Sequence, residues 1–242
     1  MTSEARKRAS LTEHRLDTPD ALAEALAEAI SRRLDDAVSA RRHATLVVSG
    51  GSTPRATFMR LSQKPLRWGA VTITLADERW VPPSDPASNE ALVRTTLLVG
   101  AAASARFVGL YTGDPTPEAG ESACAARIEA LWRPFDVVLL GIGDDGHTAS
   151  LFPRAPGLAD ALDPAGDALC HAIRPENVQP PRMTLTLRAL LDARIVFLMF
   201  RGTRKRSAFE AALADGPIVD MPVRAVLRQQ QAPVEIYWTS RD

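Results

Sequence analysis

The chain has 242 residues, 45% of them hydrophobic, and its Lys plus Arg total of 29 equals its Asp plus Glu total of 29. That length suits one large α/β domain or two small ones, and the zero net charge offers no global field for nucleic acid or an anionic membrane. The two cysteines, Cys124 and Cys170, form no metal-binding spacing and no disulfide framework, which points to a reducing, cytoplasmic setting.

Residues 1–15 mix Arg, Lys and Glu without an apolar core, so they do not read as a secretory signal. They are expected to form a flexible tail ahead of a single domain over 16–242. Nowhere do about 18 apolar residues run together, so no membrane-spanning helix is expected. Residues 20–40 carry Ala21, Leu22, Leu26, Ile30, Leu34 and Val38 at near-helical spacing, with Asp17, Thr18 or Asp20 available as caps. Residues 44–48 are β-compatible and run into Ser49-Gly50-Gly51-Ser52-Thr53-Pro54. A helix is predicted through Phe58, Met59 and Leu61, with Pro54 in its first turn and Ser52 or Thr53 as its cap.

The next strand spans 71–76 and ends in Asp77-Glu78-Arg79-Trp80, before a proline-rich loop at 82–86 and a helix over about 88–98. A short strand is expected at 106–110 and a helix at 118–131, stopped by Pro134. The apolar run Val137-Val138-Leu139-Leu140 then meets three glycines within six residues, Gly141, Gly143 and Gly146, and His147, which reads as strand, tight loop and helix start. Residues 154–166 read as loop, 168–173 as strand, 174–181 as a proline-rich connection and 184–190 as strand passing into helix. A buried strand at 194–200, helices at 207–213 and 222–227 and a closing strand at 234–238 complete the chain, with no internal repeat.

Alternating strands and helices imply an α/β fold with a mainly parallel, Rossmann-like sheet covered by helices on both faces. Parallel strands share a direction, so residues 49–53, 77–80, 141–148 and 201–205 should line one cleft at their carboxyl ends. Ser49, Gly50, Gly51, Ser52 and Thr53 offer backbone N–H groups and hydroxyls at a predicted helix start, an anion site suited to phosphate. The segment is neither a Walker loop nor GxGxxG, so a small phosphorylated metabolite is favoured over a nucleotide. Arg79, Arg182 and Lys205 are the candidate cations, although Lys205 in its basic run and Arg182 after its loop could equally face solvent.

Of four histidines, only His147 stands at a strand's carboxyl end. His14 falls in the expected tail, His43 precedes a strand at the opposite rim, and His171 lies within a strand. Histidine ordinarily titrates near neutrality and can both take and return a proton. Asp144 and Asp145 could hold its tautomer, cap the following segment or stabilise an imidazolium. His147 has no partner His or Cys at ligand spacing, and although Asp77, Asp144 and Asp145 might converge on a hard cation, nothing requires it. Serine nucleophile chemistry is disfavoured, because Gly-x-Ser-x-Gly is absent and Ser150 lies beyond the loop apex.

Taken together, the 49–54 segment, Asp77-Glu78-Arg79-Trp80-Val81-Pro82 with Ser88-Asn89, the 141–153 segment, Arg182-Met183-Thr184-Leu185-Thr186 and Lys205 resemble the 6-phosphogluconolactonase family over residues 16–238. The resemblance implies hydrolysis of 6-phospho-D-glucono-1,5-lactone without cofactor or metal. It also implies His147 as general base, and a glycine-serine loop with Arg79, Arg182 and Lys205 holding substrate, chiefly its phosphate. Asp145 is the expected companion of His147. The related glucosamine-6-phosphate deaminases carry an Asn-Glu-Pro ending after the motif histidine, where this chain has Leu151-Phe152-Pro153. A non-catalytic sugar-phosphate sensor would bring a DNA-binding helix-turn-helix, for which the residues ahead of the first helix are too few. The implied partner is a phosphorylated sugar lactone, with no nucleic acid or membrane, and the oligomeric state is open.

Overall fold

The computed structural model describes residues 11–176 and 178–242. Ten strands and eight α-helices are found among the described residues. The first strand, β1, is Leu11–Arg15, a segment expected to be tail. It pairs in parallel with the last strand, β10 (Val234–Thr239), and so forms one edge of the main sheet. The first ten residues of the expected tail lie outside the described residues. His14 therefore sits on a strand, with its ring stacked on Tyr237 at 4.3 Å and Nε2 3.1 Å from Glu235.

Helix α1 (Pro19–Arg41) begins where Thr18 Oγ1 accepts the Ala21 N–H at 3.1 Å, which selects Thr18 among the three possible caps. It buries Leu22, Leu26, Ile30, Leu34 and Val38, the stripe read from spacing, and ends at Arg42 with φ of 68°. Strand β2 (Ala44–Val48) leads to α2 (Arg55–Leu61), β3 (Val71–Leu75), α3 (Asn89–Thr96), β5 (Arg106–Val108) and α4 (Pro117–Glu129). Strand β6 (Val137–Gly141) follows, then β9 (Val196–Arg201), α7 (Thr203–Leu213) and α8 (Val223–Arg228) before β10.

The main sheet has seven strands in the order β1-β10-β9-β6-β2-β3-β5, and every pairing in it is parallel. Successive residues of a strand face opposite sides. Four consecutive buried residues in β6 and five in β9 thus mean that both faces are covered. From β2 the chain moves outward to β3 and β5, then returns to β6 on the other side of β2 and moves away through β9 and β10. The order reverses between β2 and β6, and in such sheets that crevice is where ligands bind.

A second, three-stranded antiparallel sheet was not legible beforehand. It joins β4 (Asp77–Arg79), β8 (Arg182–Leu185) and β7 (Cys170–Ile173) in the order β4-β8-β7. The polar segment after β3 is therefore itself a strand, and its register sets Arg79 opposite Arg182. The remaining helices are α5 (Leu158–Leu162), within a stretch expected to be loop, and α6 (Leu187–Leu191), which follows β8 as the strand-then-helix reading anticipated. Cys124 on α4 and Cys170 on β7 are both free and buried, with sulfurs 3.0 Å apart. No helix among the described residues is long and apolar enough to cross a membrane.

Glu78 ties β4 to the start of α3. Its fully buried carboxylate accepts the N–H groups of Arg79, Asn89 and Glu90 at 2.7 to 2.8 Å and the Ser88 hydroxyl at 2.9 Å. Burial pushes its pKa from an ordinary 4.5 up to about 7, against the pull of those donors. Between those two values the folded chain keeps a proton that the unfolded chain has lost. Stability should therefore fall as pH rises from about 4.5 to 7, by about 3 kcal/mol for a shift of this size, and level off above it. Urea titrations of wild type and Glu78→Gln across pH 5 to 8 check this, the variant being expected to lose that slope.

Candidate active site

Segments 49–53, 77–79 and 141–147 and Lys205 meet in a cleft of about 680 Å³ at the carboxyl ends of β2, β3, β6 and β9. Three of the four expected segments thus contribute through several residues. The fourth enters through Lys205 alone, because Arg201 lines only a smaller adjoining recess. Trp80 is not part of the cleft: its Nε1 donates to the Asp114 carbonyl at 2.9 Å and its ring meets Tyr111 edge-on.

The loop after β6 is built around its glycines. The Gly143 N–H donates to the His147 carbonyl and the Gly146 N–H to the Gly143 carbonyl, at 2.9 and 3.0 Å. A Cβ at Gly143 would lie 2.1 Å from His147 Nδ1, so only glycine lets the imidazole fold back over the turn. No helix starts after His147, contrary to expectation. Thr148 Oγ1 donates to the Gly141 carbonyl at 2.8 Å, Ala149 takes a φ of 48°, and Thr148 bridges to Leu151, so the chain turns instead of coiling.

Asp145, rather than Asp144, is the partner of His147. Its Oδ1 accepts the His147 backbone N–H at 3.0 Å and stands 2.6 Å from Nδ1. Burial pushes the Asp145 carboxyl up, but the hydrogen bonds and charge of His147 together outweigh it and hold the carboxyl below its ordinary range. A carboxylate can only accept, so Nδ1 carries the proton toward Asp145, and in the neutral imidazole the lone pair is then on Nε2. Phe152 packs on the imidazole at 4.4 Å, and the His147 side chain remains 31% exposed to the cleft.

In the 49–53 loop, the Ser49 N–H is used by the sheet, donating to the Leu139 carbonyl at 2.9 Å. Among the described residues, the N–H groups of Gly50, Gly51, Ser52 and Thr53 have no backbone partner. Neither Ser52 nor Thr53 caps α2, which is preceded by Pro54 already in helical conformation and is only seven residues long. The donors offered here are thus the loop's own N–H groups and hydroxyls and not a capped helix end.

Arg182 is buried, contrary to a surface reading, and its Nη1 donates to the Pro180 carbonyl. Arg79 Nη1 donates to the Ala87 carbonyl at 2.6 Å. Burial, and then the charge of Arg79, lower the Arg182 pKa, while Asp77 and Glu78 partly restore it. Lys205, in the first turn of α7, is likewise depressed by burial, with Asp144 opposing. Two cations whose charge is disfavoured by burial and placed in one cleft suit an anionic ligand.

Asp77 lines the cleft as its segment was expected to, and it is joined there by Asn89 and Ser150, two polar residues outside the four expected segments. The buried Ser150 hydroxyl donates to Asp77 Oδ2 at 2.6 Å, and Asn89 Nδ2 donates to the Asp77 carbonyl at 2.8 Å. Asn89 stands out in the sequence only as part of a family motif, and the Ser88 cap is what places it at the helix start. Among the described residues, no group of three His, Cys, Asp or Glu could hold a metal ion. His43 stacks on Trp132 at 4.4 Å, and His171 pairs with Glu121 at 3.2 Å.

A curated 6-phosphogluconolactonase from Rhizobium meliloti is 45% identical over 225 residues, covering 93% of this chain and 97% of its own. One from Pseudomonas aeruginosa is 44% identical over 216 residues, covering 89% and 90%. The crystal structure of a 6-phosphogluconolactonase from Shewanella baltica superposes with a TM-score of 0.93 at 45% identity, over 95% of this chain and 98% of that one. The family model for glucosamine-6-phosphate isomerases/6-phosphogluconolactonase matches residues 17–238, and the chain belongs to that family.

Proposed function

We propose that the chain is a 6-phosphogluconolactonase, hydrolysing 6-phospho-D-glucono-1,5-lactone to 6-phospho-D-gluconate, the second step of the oxidative pentose phosphate pathway. The observation that carries this is the His147 and Asp145 pair. It leaves Nε2 free as a base in the cleft that also holds the glycine-serine loop, Arg182 and Lys205. The loop N–H groups with Arg182 and Lys205 bind the phosphate, which orients the lactone ring toward His147.

His147 Nε2 takes a proton from water as the water oxygen attacks the C1 carbonyl. The resulting oxyanion is met by Arg79 or by N–H groups of a glycine loop. As the tetrahedral intermediate collapses, the bond from C1 to the ring oxygen breaks and protonated His147 returns the proton to that oxygen. The base is then regenerated and the product is an open-chain carboxylic acid, which releases the second proton of the water to solvent to become the carboxylate. Phe152 occupies the part of the loop where the deaminases carry their carboxylate, and its ring against His147 disfavours a deaminase reading. A phosphorylated substrate and two unpaired thiols fit a reducing, cytoplasmic setting.

The test is lactone consumption above the spontaneous rate, followed as acid release; equal rates with and without protein would reject the lactonase reading. Asp145→Asn offers an amide that can present a donor to Nδ1, favouring the tautomer with the wrong nitrogen free. It should lower kcat about 10- to 100-fold, the worth of a hydrogen bond to a charged group. A matched fall in kcat/KM would locate the loss in the chemical step.

A further inference from the structure

The cleft contains a buried amide that the proposed chemistry does not use. Asn89 is 1% exposed, and its backbone N–H is held by Glu78 Oε1 at 2.7 Å. Its Nδ2 donates to the Asp77 carbonyl. That carbonyl can only accept, so the nitrogen must face it and Oδ1 must take the other side. There it abuts Gly50: a Cβ at Gly50 would stand 1.8 Å from Oδ1 and 2.2 Å from Cγ. Among the described residues, Asn89 Oδ1 has no hydrogen-bond partner, and neither does the buried hydroxyl of adjacent Ser49. An unpaired buried acceptor is unfavourable for stability, and such groups in native proteins usually answer to another constraint.

We propose that Asn89 is a positioning residue for the phosphate: its flat amide is the rest on which Gly50 lies, and it sets where the 50–53 N–H groups stand relative to Arg182 and Lys205. The inference rests on reading the 49–53 loop as the phosphate end of the cleft. A planar amide with no Cβ above it permits an approach that any side chain at 50 would block while Asn89 is in place. Glycine at 50 is thus required by contact with Asn89. The same contact transmits the position of β4 and α3 to the loop.

The test is a two-residue cycle read by KM for the lactone, kcat, and competitive inhibition by inorganic phosphate. Asn89→Ala removes the rest and should raise KM and the phosphate inhibition constant about tenfold, with kcat altered far less, because the loop loses its preorganisation. Gly50→Ala should weaken phosphate more severely, since its methyl meets Oδ1. In the Gly50→Ala background, Asn89→Ala makes room for that methyl and should recover phosphate binding, reversing the sign it has alone. A merely destabilising role for Asn89 would give losses that add. Should Asn89→Ala fail to fold, Asn89→Ser, which keeps a donor toward Asp77, is measured in its place with the same expectation. Unchanged phosphate inhibition, or additive losses, would overturn the inference. Lys205→Ala separates the two levels: if it weakens phosphate while Asn89→Ala does not, only the inference fails. If neither moves it, the phosphate reading of the cleft fails.

Discussion

His147→Ala is expected to lower kcat for lactone hydrolysis by about two to four orders of magnitude, the usual contribution of a positioned general base. KM should stay close to the wild-type value. The imidazole shares the cleft with Lys205 and the 50–53 loop but is not among the proposed phosphate contacts, so its removal should leave those contacts in place. Folding should survive the change. The His147 side chain is partly exposed, and the turn is also closed by Thr148 on Gly141 and by Gly146 on Gly143. Asp145 would lose the partner that holds its carboxyl low, but at half exposure it can be solvated by water. Because the lactone opens spontaneously, the measurement is the excess over the uncatalysed rate. A variant with near-normal kcat would remove His147 from the mechanism and leave the carboxylates lining the cleft, Asp77, Asp144 and Asp145, as the candidate bases.

The parts of this molecule legible from sequence are those whose signal is local. Six of the seven strands of the main sheet follow from apolar runs at regular spacing, and the glycine turn sets His147 beside Asp144 and Asp145, between which the residues alone leave the choice open. What was missed depends on pairing at a distance. Leu11–Arg15 has one apolar residue and gains its strand identity from Val234–Thr239, more than two hundred positions away. The polar segment Asp77–Arg79 becomes a strand because Arg182–Leu185 runs beside it. Asn89 reaches the cleft because Glu78 draws the start of α3 onto β4. The helix expected after His147 fails for a local reason of the opposite kind. Thr148 turns its hydroxyl back to Gly141, a competition between side chain and backbone that propensity does not foresee.

Arg182→Met is expected to raise KM about 10- to 100-fold, in line with about 1.5 to 3 kcal/mol for a hydrogen bond involving charged groups. Its effect on kcat should be smaller, since phosphate binding orients the substrate but takes no part in bond making. Arg182→Lys should recover only part of the loss, because an ammonium keeps the charge but not the two-pronged donor that matches phosphate oxygens. The stability consequence runs the other way. In the unliganded protein the Arg182 guanidinium is buried opposite Arg79, and both burial and that charge disfavour it. Methionine relieves both, while Asp77 keeps its bond from Ser150 and Glu78 keeps its four donors. The unliganded Tm of the variant should therefore equal or exceed that of wild type. Added phosphate separates them again: it should raise the wild-type Tm by mass action and leave the variant nearly unmoved at the same concentration. An equal phosphate-induced rise in both proteins would show that Arg182 does not hold the anion, whatever its effect on turnover.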